Sequence, residues 1–364
     1  MMTGKERITN IFQRKPVDRI GVYEHFWSDT RVKWERDGLI EKGQTFAELF
    51  DFDIELSTDN FTTVFNMIAD LDFEPVVLDE TEETILHLDG NQARLRYHKL
   101  HDGTPEHVGF AAVDGASYRE LLQPFVKQVD ERRIDADLYQ HLMANCERDQ
   151  RFYIHSCLAP FECMHLASGH ENLLVGMALE PEWVQEMAMD YAKLIVSLME
   201  TMFQKYGKPD AIYYYEDLGF KQRPFMSPDH YRLCLMPAHK YLTGFAHSEG
   251  LPVMMHSCGF IEMLLPHMIE AGIDALDVME VKAGMDPLKL SKEYGDVLSF
   301  MGGIDVRSLY SNDKEAIDAE LESKIPFLKE NCSYILHTDH SIPASVEFDT
   351  YKYFLEKGLR LGAY

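Results

Sequence analysis

The chain has 364 residues, 46% of them hydrophobic and 12% aromatic, which is enough apolar surface to bury a large core in one big domain or two ordinary ones. Against 35 basic residues stand 61 acidic ones, a formal net charge of −26 that repels phosphate backbones and anionic headgroups and makes nucleic acid and membrane surfaces poor partners. No stretch approaches the ~20 consecutive apolar residues of a bilayer-spanning helix, so no membrane role is expected.

The opening "MMTGKERITNIFQRKPVDRI" is mixed and charged, without the apolar segment of a secretion signal, and a cytoplasmic location is expected. Six cysteines, at 146, 157, 163, 234, 258 and 332, are too scattered for a disulfide scaffold and read as free thiols or metal ligands. "DRIGVYEHFW" and "DFDIELST" are the first two strand candidates. From about 60 to 135 the pattern changes. "EPVVLDETEETILHLDGNQARLRYHKL" alternates as antiparallel strands do, with Asp-Gly at a turn, and reads as a β-rich excursion in the N-terminal half.

After about residue 150 short apolar runs alternate with long amphipathic stretches. "RFYIHSCLAP" is a strand; a helix then starts at Pro181 and stops at Gly207, its apolar residues falling on a helical period. "DAIYYYEDLGF" follows, then a helix capped by Ser227 and kinked near Pro237. "LPVMMHSCG", "IDALDVME", "VLSFMGGID" and "SYILHTDH" complete eight strand candidates, each followed by a helical stretch. Strand–helix alternation implies parallel strands with crossover helices, and eight such units suit a closed α/β (β/α)8 TIM barrel spanning 1–364 as a single domain.

Reactive groups of a barrel gather at the C-terminal strand ends. In "VMMHSCG" alternation puts His256 and Cys258 on one face and Val253 and Met255 on the other, so imidazole and thiol enter the mouth together as half a zinc site. "IHSCLAP" has the same spacing but runs into Leu-Ala-Pro, and His155 is expected to hydrogen-bond its neighbours or touch substrate. "YYYED" offers Glu216 or Asp217 as a fourth ligand, general base or substrate anchor, with one facing in and the other out; Tyr214 and its neighbours suit an aromatic mouth. On the last strand His337 and Asp339 share a face, and His340 lies just beyond. The first and last strands of a barrel are neighbours, which puts Glu24 and His25 beside that cluster. No GxGxxG, P-loop or GxSxG motif is present.

The blocks "GKERITNIFQRKPVDRIGV", "HENLLVGMALEPEWV", "EDLGFKQRPFMSP", "MHSCG", "MGGIDVRSL" and "ILHTDHSIP" resemble, in order and over nearly the whole chain, those of the uroporphyrinogen decarboxylase superfamily. The resemblance implies a (β/α)8 barrel and one of two chemistries. The decarboxylase branch uses an arginine-rich segment after the first strand, where this chain has Glu24, His25, Phe26 and Trp27. The other branch comprises zinc-dependent methyltransferases that exchange a methyl group with a corrinoid (cobalamin) on a separate protein. Its zinc site is His-x-Cys plus a cysteine on the last strand; here His256 and Cys258 match, and the residue that lines up with the last cysteine is His340, with Asp339 and His337 as alternatives.

The resemblance therefore implies a metal at His256, Cys258 and His340, and the strand-end reading adds catalytic roles for Glu216, Asp217 and Asp339 and substrate contacts from Glu24, His25, His155, Tyr214 and His337. The substrate would be a small O- or N-methyl compound or a thiol, with O-demethylation the direction favoured by a site holding a single thiolate. A metal-independent carboxy-lyase is the alternative. The fold family also admits a homodimer.

Overall fold

The computed structural model describes residues 2–57, 64–99 and 105–364. The first two strands, β1 (Gly21–Val22) and β2 (Ile54–Leu56), are short. Next come β3 (Val76–Glu80), β4 (Thr84–Leu88), β5 (Ala93–His98) and β6 (Glu106–Phe110), which form a four-stranded antiparallel sheet of their own. The alternating pattern predicts this excursion. Its turn between β4 and β5 is built by Asp89, whose Oδ1 accepts from the N–H groups of Asn91 and Ala93. The fourth strand, β6, is not anticipated by the sequence reading.

The chain then follows the strand–helix alternation read from the sequence. β7 (Phe152–Leu158) and β8 (Ala211–Tyr215) precede a small hairpin, β9 (Gly219–Phe220) and β10 (Arg223–Pro224). β11 (Val253–Ser257), β12 (Ala275–Val278), β13 (Ser299–Gly302) and β14 (Ser333–Leu336) follow. The eight strands predicted for the barrel form one parallel sheet in the order β1-β14-β13-β12-β11-β8-β7-β2. This is an α/β TIM-barrel-like fold, nearly closed on itself.

The helix from Pro181 to Tyr206 has Pro at its first position and Gly207, at φ +91°, at its end, as its sequence signals require. Ser227 caps the helix that follows β10 by accepting from His230 N–H. The kink expected near Pro237 takes the form of a π-helical turn over Tyr231–Leu235, immediately ahead of the proline that can donate no hydrogen bond.

The two edge strands meet at a seam. Asp53 N–H donates to Val22 O at 3.1 Å, while Val22 N–H donates to Asp53 Oδ2 at 3.0 Å. Asp53 is buried, and its carboxylate is clamped by Arg7 at 2.5 Å and Arg19 at 2.7 Å. A side chain thus takes the place that further ladder bonds occupy elsewhere in the wall. The helix Gly4–Phe12, which carries Arg7, packs on β1, β2, β7 and β14 and so covers both sides of this seam.

Registered residues of parallel neighbours share a face. Tyr215, His256, Asp277, Met301 and Ile335 form one such row across five strands. Ser156, Tyr213 and Met254 form another two residues lower. The opposite face carries Cys157, Tyr214 and Met255, and Tyr214 Oη donates to Leu242 O of the surrounding helix Met236–Ser248 at 3.4 Å. The row containing His256 therefore lines the barrel interior.

Candidate active site

His256 stands at the inner end of β11, 6% exposed. Its Nδ1 donates to Asp277 Oδ2 at 2.7 Å, and the same oxygen accepts from Tyr213 Oη at 2.7 Å. The ring lies flat on Tyr215, with centroids 4.3 Å apart and planes at 14°. Imidazole orientation and tautomer are thereby set, and Nε2 faces the mouth, 3.3 Å from Cys258 Sγ and 3.5 Å from Asp217 Oδ1. Ligand atoms of Asp217, His256 and Cys258 all lie within 4.8 Å of one another.

The backbone is shaped to hold this group. Cys258 N–H donates to Asp217 Oδ1 at 2.7 Å, and Gly259 N–H donates to Glu280 Oε2 at 2.7 Å. The chain turns away at Gly259, φ +77°, directly against Gly219: a Cβ on Gly219 would stand 2.3 Å from Cys258 O. Only glycine allows that approach.

Electrostatics follow from burial and sign. Burial lowers the His256 pKa, but the hydrogen bond and charge of Asp277, joined by the charges of Asp217 and Glu162, more than offset it and the net shift is upward. Burial pushes the Cys258 thiol well above its usual range, and Asp217, Glu280, Asp277 and Glu162 push it further. Asp217 is itself raised by burial. Opposite, burial lifts Glu24 to about 7 while its neighbour His337, with Nε2 3.3 Å from Glu24 Oε1, pulls the other way. His337 Nδ1 lies 4.0 Å from Asp277 Oδ1, so a polar thread runs across the mouth from Glu24 through His337 and Asp277 to His256. His25 sits beside it, edge-on to Tyr23 and His337, its pKa lowered by burial to about 3.

Of the residues singled out in the sequence, Asp217, His256, Cys258, Glu24, His25 and His337 thus come to the mouth. Five others, Tyr214, Glu216, His155, Asp339 and His340, do not stand as expected. Tyr214 faces the helices; Tyr213 and Tyr215 are the inward tyrosines. Glu216 shares Tyr214's parity and is fully buried, its carboxylate taken by His239 Nε2 at 2.6 Å and by the N–H groups of Phe161 and Glu162. It staples wall to helix and is not free for catalysis. His155, also outward, is enclosed by Phe65 and Tyr139. Asp339 accepts from Val281 N–H and Val306 N–H, one on each oxygen, and ties two rim loops together.

His340 is half-buried with its ring 5.6 Å from Trp27, and among the described residues it is Asp217, not His340, that completes the cluster with His256 and Cys258. Sequence reasoning missed Asp277 and Glu162. Asp277 had a signal: a carboxylate inside the apolar run "DALDV" needs a buried partner.

Residues 147–358, more than half of the chain, match the family model described as uroporphyrinogen decarboxylase (URO-D). The chain belongs to the URO-D family. Among solved structures, a methyltransferase from Methanosarcina mazei is similar over 98% of both chains, with a TM-score of 0.65 at 14% identity, which shows that the two share the URO-D fold. An amidohydrolase, at TM-score 0.30 and 13% identity over 47% of this chain and 44% of its own, is too distant to carry an argument. The same holds for a Xaa-Pro dipeptidase with bound methionine, at TM-score 0.32 and 11% identity over 71% and 68%. No curated protein matches. Among the described residues of this URO-D chain, no helix is long and apolar enough to cross a membrane.

Proposed function

We propose that the chain is a zinc-dependent methyltransferase, moving a methyl group between a small O- or N-methylated substrate, or a thiol, and a corrinoid held by a separate protein. The observation that carries this reading is the convergence of Asp217, His256 and Cys258 at the mouth, with His256 Nδ1 fixed by Asp277. The donors fit the metal. Carboxylate, imidazole and thiolate are ordinary zinc ligands, and a histidine whose second nitrogen donates to a carboxylate is the usual supporting arrangement. A thiol ringed by four acids resists ionisation, and a divalent cation is the group that makes its thiolate favourable.

When bound, zinc would supply Lewis acidity to the substrate heteroatom, and a set with a single thiolate leaves it more electrophilic than one with two. That favours release of an oxygen- or nitrogen-bound methyl over methylation of a thiol. The chain's own residues do the rest. Asp277 holds the proton on His256 Nδ1 and keeps Nε2 available. Tyr215 fixes the ring plane. Glu24, poised near neutral pH at its site against His337, can hold or release a proton across the mouth from the cluster. A metal-independent carboxy-lyase is the weaker reading, because Glu24, Asp217, Asp277 and Glu280 surround the mouth and would repel a polycarboxylate.

Elemental analysis of dialysed protein beside its Cys258→Ala variant tests the reading. We expect the wild type to hold one zinc per chain more than the variant, and to transfer methyl groups with cob(I)alamin where the variant does not. Equal zinc in the two proteins would return the site to a metal-free lyase.

A further inference from the structure

A second cluster lies beside the first and has no role in the function proposed above. His107 comes from β6 of the excursion, His165 from the helix Pro160–Ser168, and His170 from the first position of the helix His170–Leu179. Each offers one ring nitrogen to a group whose atoms lie within 4.8 Å of one another. Their rings face each other, with centroids 4.2 Å apart for His165 and His170 and 5.4 to 5.5 Å for His107 with the other two.

Two details separate this trio from ordinary packed histidines. First, His107 Nε2 and His165 Nδ1 are buried with no hydrogen-bond partner among the described residues, an arrangement that costs stability unless a ligand satisfies them. Second, the other nitrogen of His165 donates to Glu162 Oε2 at 2.9 Å. That bond fixes the tautomer and leaves the Nδ1 lone pair bare. A carboxylate behind an imidazole with its far nitrogen free is the supporting arrangement of a metal-bound histidine.

We propose that His107, His165 and His170 form a second divalent-cation site of the zinc class, separate from the Asp217–His256–Cys258 cluster. Three neutral imidazoles suit zinc, cobalt(II) or nickel(II), and three protein ligands leave a fourth position open to water or a ligand anion. A cation about 2.0–2.1 Å from each nitrogen needs the ligand atoms about 3.3 Å apart, so the stacked rings must turn their nitrogens toward a common point. The rings of Phe161 and Phe225 stand against His170 and give the open position an apolar wall.

The two sites share a support. Glu162 holds His165 with Oε2 and accepts Asp217 N–H with Oε1 at 3.1 Å. Charge placed on the histidine trio draws on the carboxylate that also positions Asp217, so the cations occupy coupled sites. The excursion is brought into the same arrangement, because His107 is its contribution.

The test uses full-length protein, stripped by chelator and reloaded with cobalt(II) alone, with metal counted per chain and its ligands read by X-ray absorption. We expect two cations in the wild type, one in Cys258→Ala, one in His107→Phe and none in the double variant. The cation remaining in Cys258→Ala should show imidazole scattering and no sulfur. His170→Gln, at a half-exposed position, repeats the test should His107→Phe disturb the excursion. Equal cobalt in the wild type and both histidine variants overturns the proposal, as does a Cys258→Ala protein with no metal. A single cation in the wild type, lost in His107→Phe and undiminished in Cys258→Ala, supports the trio while overturning the metal assignment at the mouth, so the two readings fail separately.

Discussion

His155 with Cys157 and His256 with Cys258 have the same spacing, on strands of the same parallel sheet with one strand between them, yet they meet opposite surroundings. The later pair points into the barrel, where Asp277, Asp217 and Tyr215 engage it. The earlier pair points into the helix layer; neither nitrogen of His155 has a hydrogen-bond partner among the described residues, and burial raises the Cys157 pKa. Spacing decides which residues share a face, whereas register with the neighbouring strands decides which face is the interior.

The largest contrast should come from replacing each histidine in turn. His256→Ala should abolish methyl transfer and remove the mouth metal, read by turnover with cob(I)alamin and by metal content. His155→Ala should leave metal bound and cost about 3 kcal/mol of stability in denaturant titration, the loss expected of a buried ring cut to a methyl. Loss of metal in the His155 variant would break the comparison.

A smaller effect isolates the support behind the inward ring. Asp277→Asn cannot hold His256 in the same tautomer with the same charge, and we expect metal affinity to fall about 10–100-fold in chelator competition. The same change made near His155 has no counterpart, since among the described residues no carboxylate bonds that ring.

The two histidines should also differ in sign with pH. Burial lowers the His155 pKa to about 3, so between about 6.5 and 3 the unfolded chain takes up a proton that the native state refuses. Its neutral form stabilises the fold above pH 6.5, and that contribution is lost as pH falls. His256, raised by Asp277, acts in reverse in the metal-free protein: its contribution is present below the unfolded value and is lost as pH rises through the folded one. His155→Leu should flatten the acid limb of stability against pH, and a limb of unchanged slope would show that the acid loss arises elsewhere. At pH 7 the same variant should be the smallest effect of all, a gain of about 1 kcal/mol from removing an unsatisfied buried polar group.

Much of the architecture is legible because period and punctuation are local. The eight barrel strands, the Pro181 helix start and the Asp-Gly turn each depend on a few adjacent residues. The His256–Cys258 half-site is legible for the same reason, helped by apolar Val253 and Met255 on the other face. What the sequence hides is set by pairing across the sheet. "YYYED" has two phases, and only the registry of Tyr215 with His256 shows that Tyr213, Tyr215 and Asp217 look inward while Tyr214 and Glu216 look out. The histidine trio is hidden more deeply, because His107 belongs to the excursion and meets His165 and His170 only through tertiary packing.

The seam at Asp53 gives the barrel a direction. Among the described residues seven of the eight joints between neighbouring strands are ladders, and the eighth is a single backbone hydrogen bond beside a carboxylate gripped by two guanidinium groups. A ladder spreads its bonds along two strands, whereas this clasp gathers the joint at one buried carboxylate. A single substitution at Asp53 can therefore undo the joint between Val22 and Asp53, beside the strand that leads to Glu24 and His25. On the opposite side, where His256 and Asp277 sit on consecutive ladders, no one residue carries a joint.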